Sequence, residues 1–414
     1  MGGVSEELLC ARAYLSRVAD PDSVAVRGLV AELGAIGAAA AIRAGEVPAD
    51  VAADTVARRV TADPAADLAA AERHRIRLVV PESHEWPSQA LDALTKSDGR
   101  RVEAWGKGHR THPSSGELLL PLALWVQGDL RLNTLGERAP AIVGARAATP
   151  YGLRVAGDLA FALAQHGFTV ISGGAYGIDA AAHRGTLAAG GRTVLISAGG
   201  LDRPYPGGNA SLYARVRETG VLISESPPGA APQRHRFLTR NRLVAALSTG
   251  VVVVEAAARS GAINTALHAH SLGVPVMAVP GPITSVMSCG CHDLIRNLDV
   301  GATLVTGVGD VVQVAGRIGD GLEDESAKDP LRAKRMTILD SLSPVVRRVS
   351  DALPSARSAG VDEVISVSGL PLSDVLGAIS TLETCGIIEA SSAGYRARPI
   401  RGPLPAQPTR RGGW

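Results

Sequence analysis

Residues 168–197 read FTVISGGAYGIDAAAHRGTLAAGGRTVLIS. Two short apolar runs, Phe168–Ser172 and Thr193–Ser197, enclose a glycine-rich turn and an alanine-rich segment of helical length. This order is typical of a strand, a crossover helix and a second, parallel strand. The pattern also puts the glycine-rich turn directly after the first strand.

The same alternation continues on both sides of this stretch. The run Val251–Val254 has no polar alternation, as expected of a strand that is buried on both faces. We therefore predict a doubly wound α/β domain over residues 76–315, with a mostly parallel sheet and helices on both faces. The stretch Leu118–Gly128 predicts an additional strand early in this domain. The further strands of the repeat are predicted at Ala141–Gly144, Val221–Ser224, Val251–Glu255 and Val274–Val279.

The segments outside the α/β domain have different patterns. Residues 1–75 read as a small helical domain, in which the stretch around Gly34 is either a DNA-contacting helix-hairpin-helix or a simple packing element. Residues 316–334 are polar and predict a linker. Residues 335–397 predict three helices and a β wing, the pattern of a winged helix, and residues 398–414 predict a disordered tail.

Composition sets limits on the function. The 414 residues carry 42 Lys plus Arg against 40 Asp plus Glu, so net charge alone does not predict a polyanionic partner. Four cysteines are too few for a disulfide framework in a chain of this length. The N-terminus lacks a signal pattern, and no uninterrupted apolar run reaches the ~18 residues that a membrane span needs. We expect a cytoplasmic protein with no membrane partner.

Small-residue turns follow several of the predicted strands. Because ligands bind beyond the carboxyl ends of parallel strands, these turns predict a common site. Arg146 stands at the exit of the first strand of the repeat, and Ser260 with Gly261 opens a later helix. Glycines let backbone N–H groups converge on an anion, although a tight turn without a ligand has the same composition. The main predicted nest comprises Ser172, Gly173, Gly174, Tyr176 and Gly177.

Residues 234–242 read RHRFLTRNR, with four arginines, one phenylalanine and no acidic residue. Arginine matches phosphate oxygens in a bidentate manner, and a phenyl ring can stack on a nucleobase. The segment therefore predicts a groove for single-stranded nucleic acid, or else the solvated basic start of a helix. The residues assigned to the groove are Arg236, Phe237, Arg240, Asn241 and Arg242.

Other reactive residues predict no catalytic or metal site. Asp179 and His183 share a helical face and form either a catalytic pair or a helix-capping acid beside a packed histidine. Glu255 is either a general base or an acceptor that orders its loop. The motif Cys289–His292 lacks a second ligand pair at zinc-like spacing. We predict no cofactor and no metal.

Several sequence motifs, in this order, resemble those of the bacterial DNA-processing protein A (Smf) family over about residues 75–315. The residues within these motifs are similar to those of actinobacterial members. One departure concerns Gly174 and Tyr176, where the family usually has an apolar residue and often a basic one. The matching blocks are Ile142–Arg146, Ser172–His183, Gly200–Pro206, Ser224-Glu225, Arg236–Arg242, Val254–Thr265 and Pro280-Gly281.

The resemblance implies a Rossmann-like, non-enzymatic protein that binds single-stranded DNA, forms a homodimer and helps load the RecA recombinase during natural transformation or recombination. Two other functions stay open. A related fold hydrolyses the N-glycosidic bond of nucleoside monophosphates, with Glu225 or Glu255 as the candidate carboxylate here. A transcriptional regulator could use the winged helix, although its predicted recognition helix, Leu372–Glu383, carries no Lys or Arg.

Overall fold

The computed structural model describes residues 4–97, 118–135, 138–297, 299–316, 342–354, 357–391 and 393–397. These residues belong to two compact units, Met1–Gly321 and Leu322–Trp414.

The first unit begins with a group of helices. Ser23 caps the longest of them by accepting a hydrogen bond from Val26 N, and Tyr14, Leu15 and Ile42 form part of their core. These described residues are helical up to the first strand, as predicted. The helices are α1 (Glu6–Val18), α2 (Val24–Ala44), α3 (Ala49–Thr55) and α4 (Pro64–Arg73).

Helix α2, with 21 residues, is by itself long and apolar enough to cross a membrane. Its backbone leaves the helical conformation at Gly34 (φ 70°, ψ 170°), however, so it consists of two shorter helices. Val26, Leu29 and Ala38 are buried in the N-terminal core. Two helices of the second unit, Val361–Ser368 and Leu372–Thr384, pass the same test only as a pair bent by 108°.

A nine-stranded sheet forms the centre of the first unit, in the order β1-β2-β6-β5-β4-β3-β7-β8-β9. The pairs β1–β2 and β2–β6 are antiparallel and the remaining pairs are parallel. The mostly parallel sheet is therefore confirmed; β1 and β9 were not predicted. The strands are β1 (Ile76–Val79), β2 (Leu124–Gln127), β3 (Ala141–Val143), β4 (Val170–Gly173), β5 (Thr193–Ile196), β6 (Val221–Ser224), β7 (Val251–Val253), β8 (Val276–Ala278) and β9 (Thr303–Leu304).

Helices cover both faces of this sheet. In β3, Val143 packs into the core that includes Leu243 and Ile263, whereas Ile142 packs into a separate core with Leu159. Because successive strand residues point to opposite faces, this division confirms the doubly wound architecture. The helices are α5 (Ser88–Ser97), α6 (Pro150–Gln165), α7 (Ile178–Ala188), α8 (Ala210–Thr219), α9 (Arg234–Ala246), α10 (Gly261–Ser271), α11 (Cys289–Arg296) and α12 (Val308–Ala315).

The strand order reverses at β3. From β3 the chain continues outward through β4, β5 and β6, and it returns at β7 on the other side of β3. In doubly wound sheets, ligands bind beyond the carboxyl ends of the strands near such a reversal. The loops after β3, β4, β5 and β7 meet at this edge.

The second unit has its own core, which includes Val349, Val364, Val375 and Leu382. Three helices and a hairpin occur in the predicted order, and their assignment as a winged helix stays a prediction. The predicted linker after residue 316 and the tail at 398–414 lie outside the described residues. The elements are α13 (Pro344–Asp351), α14 (Val361–Ser368), α15 (Leu372–Thr384), β10 (Ile388–Ser391) and β11 (Gly394–Ala397).

Candidate nucleic-acid interface

Backbone hydrogen bonds join three loops at the carboxyl edge of the sheet. Ala145 N donates to Glu255 O at 2.7 Å, and Ile178 N donates to Ala145 O at 3.2 Å. Gly177 permits this approach, because it has φ +76° and a Cβ at its position would overlap the carbonyl oxygens of Ala145 and Arg146. The loops after β3, β4 and β7 therefore converge, as the sequence predicts.

Glu255 orders the loop between β3 and α6. Its buried carboxylate accepts hydrogen bonds from Thr149 N at 2.9 Å and from Thr149 Oγ1 at 2.6 Å. Thr149 is also the N-cap of α6. These contacts support the interpretation of Glu255 as a structural acceptor, and they link the end of β7 to the start of α6.

Two successive residues of α9 form hydrogen bonds with different loops at this edge. Arg240 is buried and donates to Ile196 O at the end of β5. Asn241 Nδ2 donates to Gly261 O at 3.2 Å and to Asn264 Oδ1 at 3.1 Å. Helix α9 thus fixes the relative positions of the β5 end and the start of α10.

Asp179 and Arg240 lie together beneath the loop that follows β4. A Cβ on Gly173 would lie 2.5 Å from Asp179 Oδ2 and 2.8 Å from an Arg240 terminal nitrogen, so only glycine fits between them. Burial raises the pKa of the Asp179 carboxyl, and the positive charge of Arg240 opposes that rise. Asp179 also accepts a long hydrogen bond from Ala175 N at 3.4 Å, which ties it to the loop.

His183 is a packed histidine. Its Nε2 lies 2.8 Å from Gly173 O and its Nδ1 lies 2.6 Å from Thr193 Oγ1. Burial lowers the pKa of His183 to about 4, so the ring is neutral at physiological pH. Both ring nitrogens have partners inside the protein, which favours the structural interpretation over a catalytic pair.

Three of the predicted phosphate-binding arginines are instead engaged with the protein. Arg242 is fully buried and forms a bidentate pair with Glu225, at 2.6 and 2.7 Å. Arg236 is buried and donates to Asp20 Oδ1 at 2.7 Å, and Arg240 is held at Ile196 O. Direct phosphate contact by these three groups does not fit this geometry, and we reassign them as supports of the edge.

Ser172 and Ser260 are also used internally. Ser172 is buried and its Oγ donates to Ile142 O at 2.6 Å, while Ser260 Oγ accepts from Ala262 N at 3.3 Å as the N-cap of α10. Gly174 is buried against the Tyr213 hydroxyl, and Gly261 is exposed. The predicted nests therefore shape the loops, and their hydroxyl groups do not point to a free anion site.

Four accessible or partly accessible side chains at this edge form the aromatic rim, defined as Arg146, Tyr176, Tyr205 and Phe237. Arg146 is exposed and its guanidinium lies over the Phe237 ring, 4.8 Å from the centroid. The Tyr205 and Phe237 centroids are 5.7 Å apart, with the rings tilted by 53°. Tyr176 and Tyr205 are 49% and 50% exposed. Tyr205 was missing from the predicted site, although the block Gly200–Pro206 contains it.

A helix N-terminus lies beside this rim. Gly177 is the N-cap of α7 and supplies no side-chain hydrogen bond to the first turn. Asp179 stands in the first turn of this helix and Ile178 N already donates to Ala145 O, so the helix end adds little to the positive charge of Arg146. Among the described residues, no group of three or more His, Cys, Asp or Glu side chains could hold a metal ion.

The residues of this edge lie in a part of the chain that is similar to known proteins. Residues 115–316 match the family model described as DNA recombination-mediator protein A. The DNA processing protein DprA of Mycobacterium tuberculosis, an actinobacterium, is 45% identical over 384 residues, which are 93% of each chain. The chain belongs to the DNA processing protein A (DprA/Smf) family. The Smf protein of Escherichia coli is 34% identical over 66% of this chain and 71% of its own length.

A solved DprA structure agrees with the fold. DprA from Streptococcus pneumoniae aligns with a TM-score of 0.58 and 26% identity, over 76% of this chain and all of that one. The residue range that matches the DprA family model contains the aromatic rim and all of the converging loops. Asp20, which holds Arg236, lies outside that range.

Proposed function

We propose that this DNA processing protein binds single-stranded DNA at the aromatic rim and delivers it to the RecA recombinase in recombination or natural transformation. The observation that carries the proposal is the cluster of exposed rings around Arg146 at the carboxyl edge of the sheet. The DprA family membership supports the same assignment.

The chemistry of the rim favours unpaired strands. Every nucleobase has a π face, so exposed aromatic rings bind bases without regard to sequence. In a duplex those faces are already stacked on neighbouring bases. An aromatic side chain can contact them only after the bases have been unstacked, which costs free energy. Arg146, which is exposed, supplies positive charge for the backbone phosphates.

The test is a binding titration with the full chain and labelled oligonucleotides. We expect single strands to bind more tightly than duplexes of equal length. Arg146→Ala should weaken single-strand binding about tenfold and reduce the salt dependence by roughly one phosphate contact, a change of ~0.7 in slope. Arg192→Ala is the matched control, because Arg192 is exposed just before β5, at the opposite edge of the sheet. Equal binding of duplex, or an Arg146→Ala variant that binds like wild type, would overturn the proposal.

Delivery to RecA and homodimer formation are separate parts of the proposal. In the expected result, the protein shortens the delay before RecA assembles on single strands already covered by a single-strand-binding protein. An Arg146→Ala variant should lose this effect in proportion to its loss of DNA binding. Sedimentation at several concentrations tests the dimer.

We also propose that the protein is not a nucleoside-monophosphate hydrolase. The two candidate carboxylates are engaged, Glu255 with Thr149 and Glu225 with Arg242. Incubation with AMP or CMP should therefore release no free base. Release that disappears in a Glu255→Gln variant would reverse this assignment.

A further inference from the structure

We propose that Tyr205 is the principal nucleobase-stacking residue of the aromatic rim, and that Phe237 positions it. This inference rests on the proposed binding of single-stranded DNA and adds a site residue that the sequence pattern did not assign.

The two rings differ in what already covers them. The guanidinium of Arg146 lies over the Phe237 ring, and Phe237 is only partly exposed. The Tyr205 ring is half exposed and meets Phe237 at a tilt of 53°, so the two rings are not stacked face to face. An incoming base would have to displace Arg146 from the covered face of Phe237. The accessible half of Tyr205 requires no such displacement.

The backbone of Tyr205 is held firmly for such a role. The Tyr213 hydroxyl donates to Tyr205 O at 2.8 Å, and Asn209 N donates to Pro206 O at 2.9 Å. Tyr213 is itself buried, and burial raises the pKa of its hydroxyl to about 12, which keeps it protonated as a donor. Because the backbone that carries the ring is fixed, less conformational entropy is lost when a base stacks on it.

Tyr176 extends the same surface. A Cβ on Gly208 would lie 2.5 Å from the Tyr176 hydroxyl, so this hydroxyl lies against the segment after β5 that also contains Tyr205. Two half-exposed tyrosines, one from the loop after β4 and one from the loop after β5, thus belong to neighbouring loops. Neither phenol ring carries a donor and acceptor pattern matched to one base, so the contact should tolerate any sequence.

The experiment compares two single strands of equal length, an oligothymidylate and the same strand with abasic sites. Tyr205→Ala should bind the oligothymidylate about tenfold more weakly, or ~1.4 kcal/mol, with unchanged affinity for the abasic strand. Tyr205→Phe should bind both strands like wild type, because stacking needs only the ring. Tyr151→Ala is the control, since Tyr151 is 42% exposed and its hydroxyl contacts Pro280 O, beyond β8.

The outcomes separate the two proposals. If wild type binds neither strand, the proposed function and this inference both fail. If wild type binds but Tyr205→Ala matches it on the oligothymidylate, or loses equally on both strands, the stacking role alone is wrong. Should Tyr205→Ala unfold, a Tyr205→Trp variant decides. Its added fluorescence should be quenched by the oligothymidylate and not by the abasic strand, and quenching by both would overturn the inference.

Discussion

Arg146 and Arg242 illustrate how differently the fold uses two arginines that the sequence places in one cluster. Arg146 is exposed beside Phe237, whereas Arg242 is fully buried against Glu225 and also donates to Leu119 O at 2.8 Å. A charge buried with its partner is costly to separate, because the remaining partner stays unpaired in a medium of low dielectric constant. The two residues should therefore affect different properties.

We predict that Arg242→Ala lowers the free energy of unfolding by ~3–5 kcal/mol, since it leaves the Glu225 carboxylate without its counterion. Arg146→Ala, at an exposed position, should change it by less than ~0.5 kcal/mol. Urea unfolding of the two variants measures the difference. An Arg242→Ala protein as stable as wild type would contradict the buried pair.

The backbone conformation of Gly177 is one that only glycine adopts readily. Its backbone has φ +76° and ψ −127°, a region that residues with a side chain avoid, and an added Cβ would overlap the Ala145 and Arg146 carbonyls. Gly177→Ala should lower the free energy of unfolding by about 3 kcal/mol and weaken single-strand binding, because the loop that carries Arg146 must move. Gly190→Ala is the control, since Gly190 has φ +71° with nothing within 4 Å. It should cost only about 1 kcal/mol and leave DNA binding intact.

At the scale of elements, α9 is the structure that the sequence described least well. Its segment is the most basic in the domain, and a free basic helix was a reasonable interpretation. The acidic partners come from distant parts of the chain: Asp20 pairs with Arg236, and Asp22 accepts from Thr239 at 3.3 Å. The loop between α1 and α2 thus supplies carboxylates to α9, and one of them is the counterion of Arg236.

This contact predicts a specific pH dependence. Burial alone would raise the pKa of Asp20, but hydrogen bonds and charge from Arg58 and Arg236 outweigh it and lower the pKa to about 2 from its usual 3.8. The stabilisation is therefore fully present above the unfolded-state pKa and is lost as the pH falls through the folded-state value. Wild type should be more stable than Asp20→Asn at neutral pH, and that advantage should shrink between about pH 4 and about pH 2. A difference that is constant over this range would contradict the assignment.

The strands were predictable for a simple reason. Runs such as Val251–Val254 are continuous and apolar, and a strand buried on both faces needs that composition. The direction of a polar side chain on a buried helix cannot be inferred from the composition of the sequence in this way. Arg240 and Arg242 are two positions apart in a segment that is polar throughout. Only their contacts in the folded chain, with Ile196 O and Glu225, show that both side chains point inward. The accessible ring of Tyr205 likewise depends on the loop after β5.

At the scale of the whole molecule, the aromatic rim lies entirely in the first unit. Its residues and the loops that hold them fall between Arg146 and Gly261, well inside Met1–Gly321. The second unit has a separate hydrophobic core, which includes Val364 and Leu382. Residues 322–414 carry 12 Lys plus Arg against 11 Asp plus Glu, so their net charge alone does not predict a polyanionic partner.

These facts predict that a chain ending at Gly321 keeps the single-strand affinity of the full protein. The reason is that the rings, Arg146 and the α9 residues that hold the loops all remain, while the part removed has nearly balanced charge. Anisotropy titrations of both lengths should agree within about threefold, and Arg146→Ala should weaken both equally. The shortened chain must first show a cooperative unfolding transition, so that a loss of binding is not mistaken for a loss of fold. A folded short chain that binds more than tenfold more weakly would assign part of the DNA contact to the second unit.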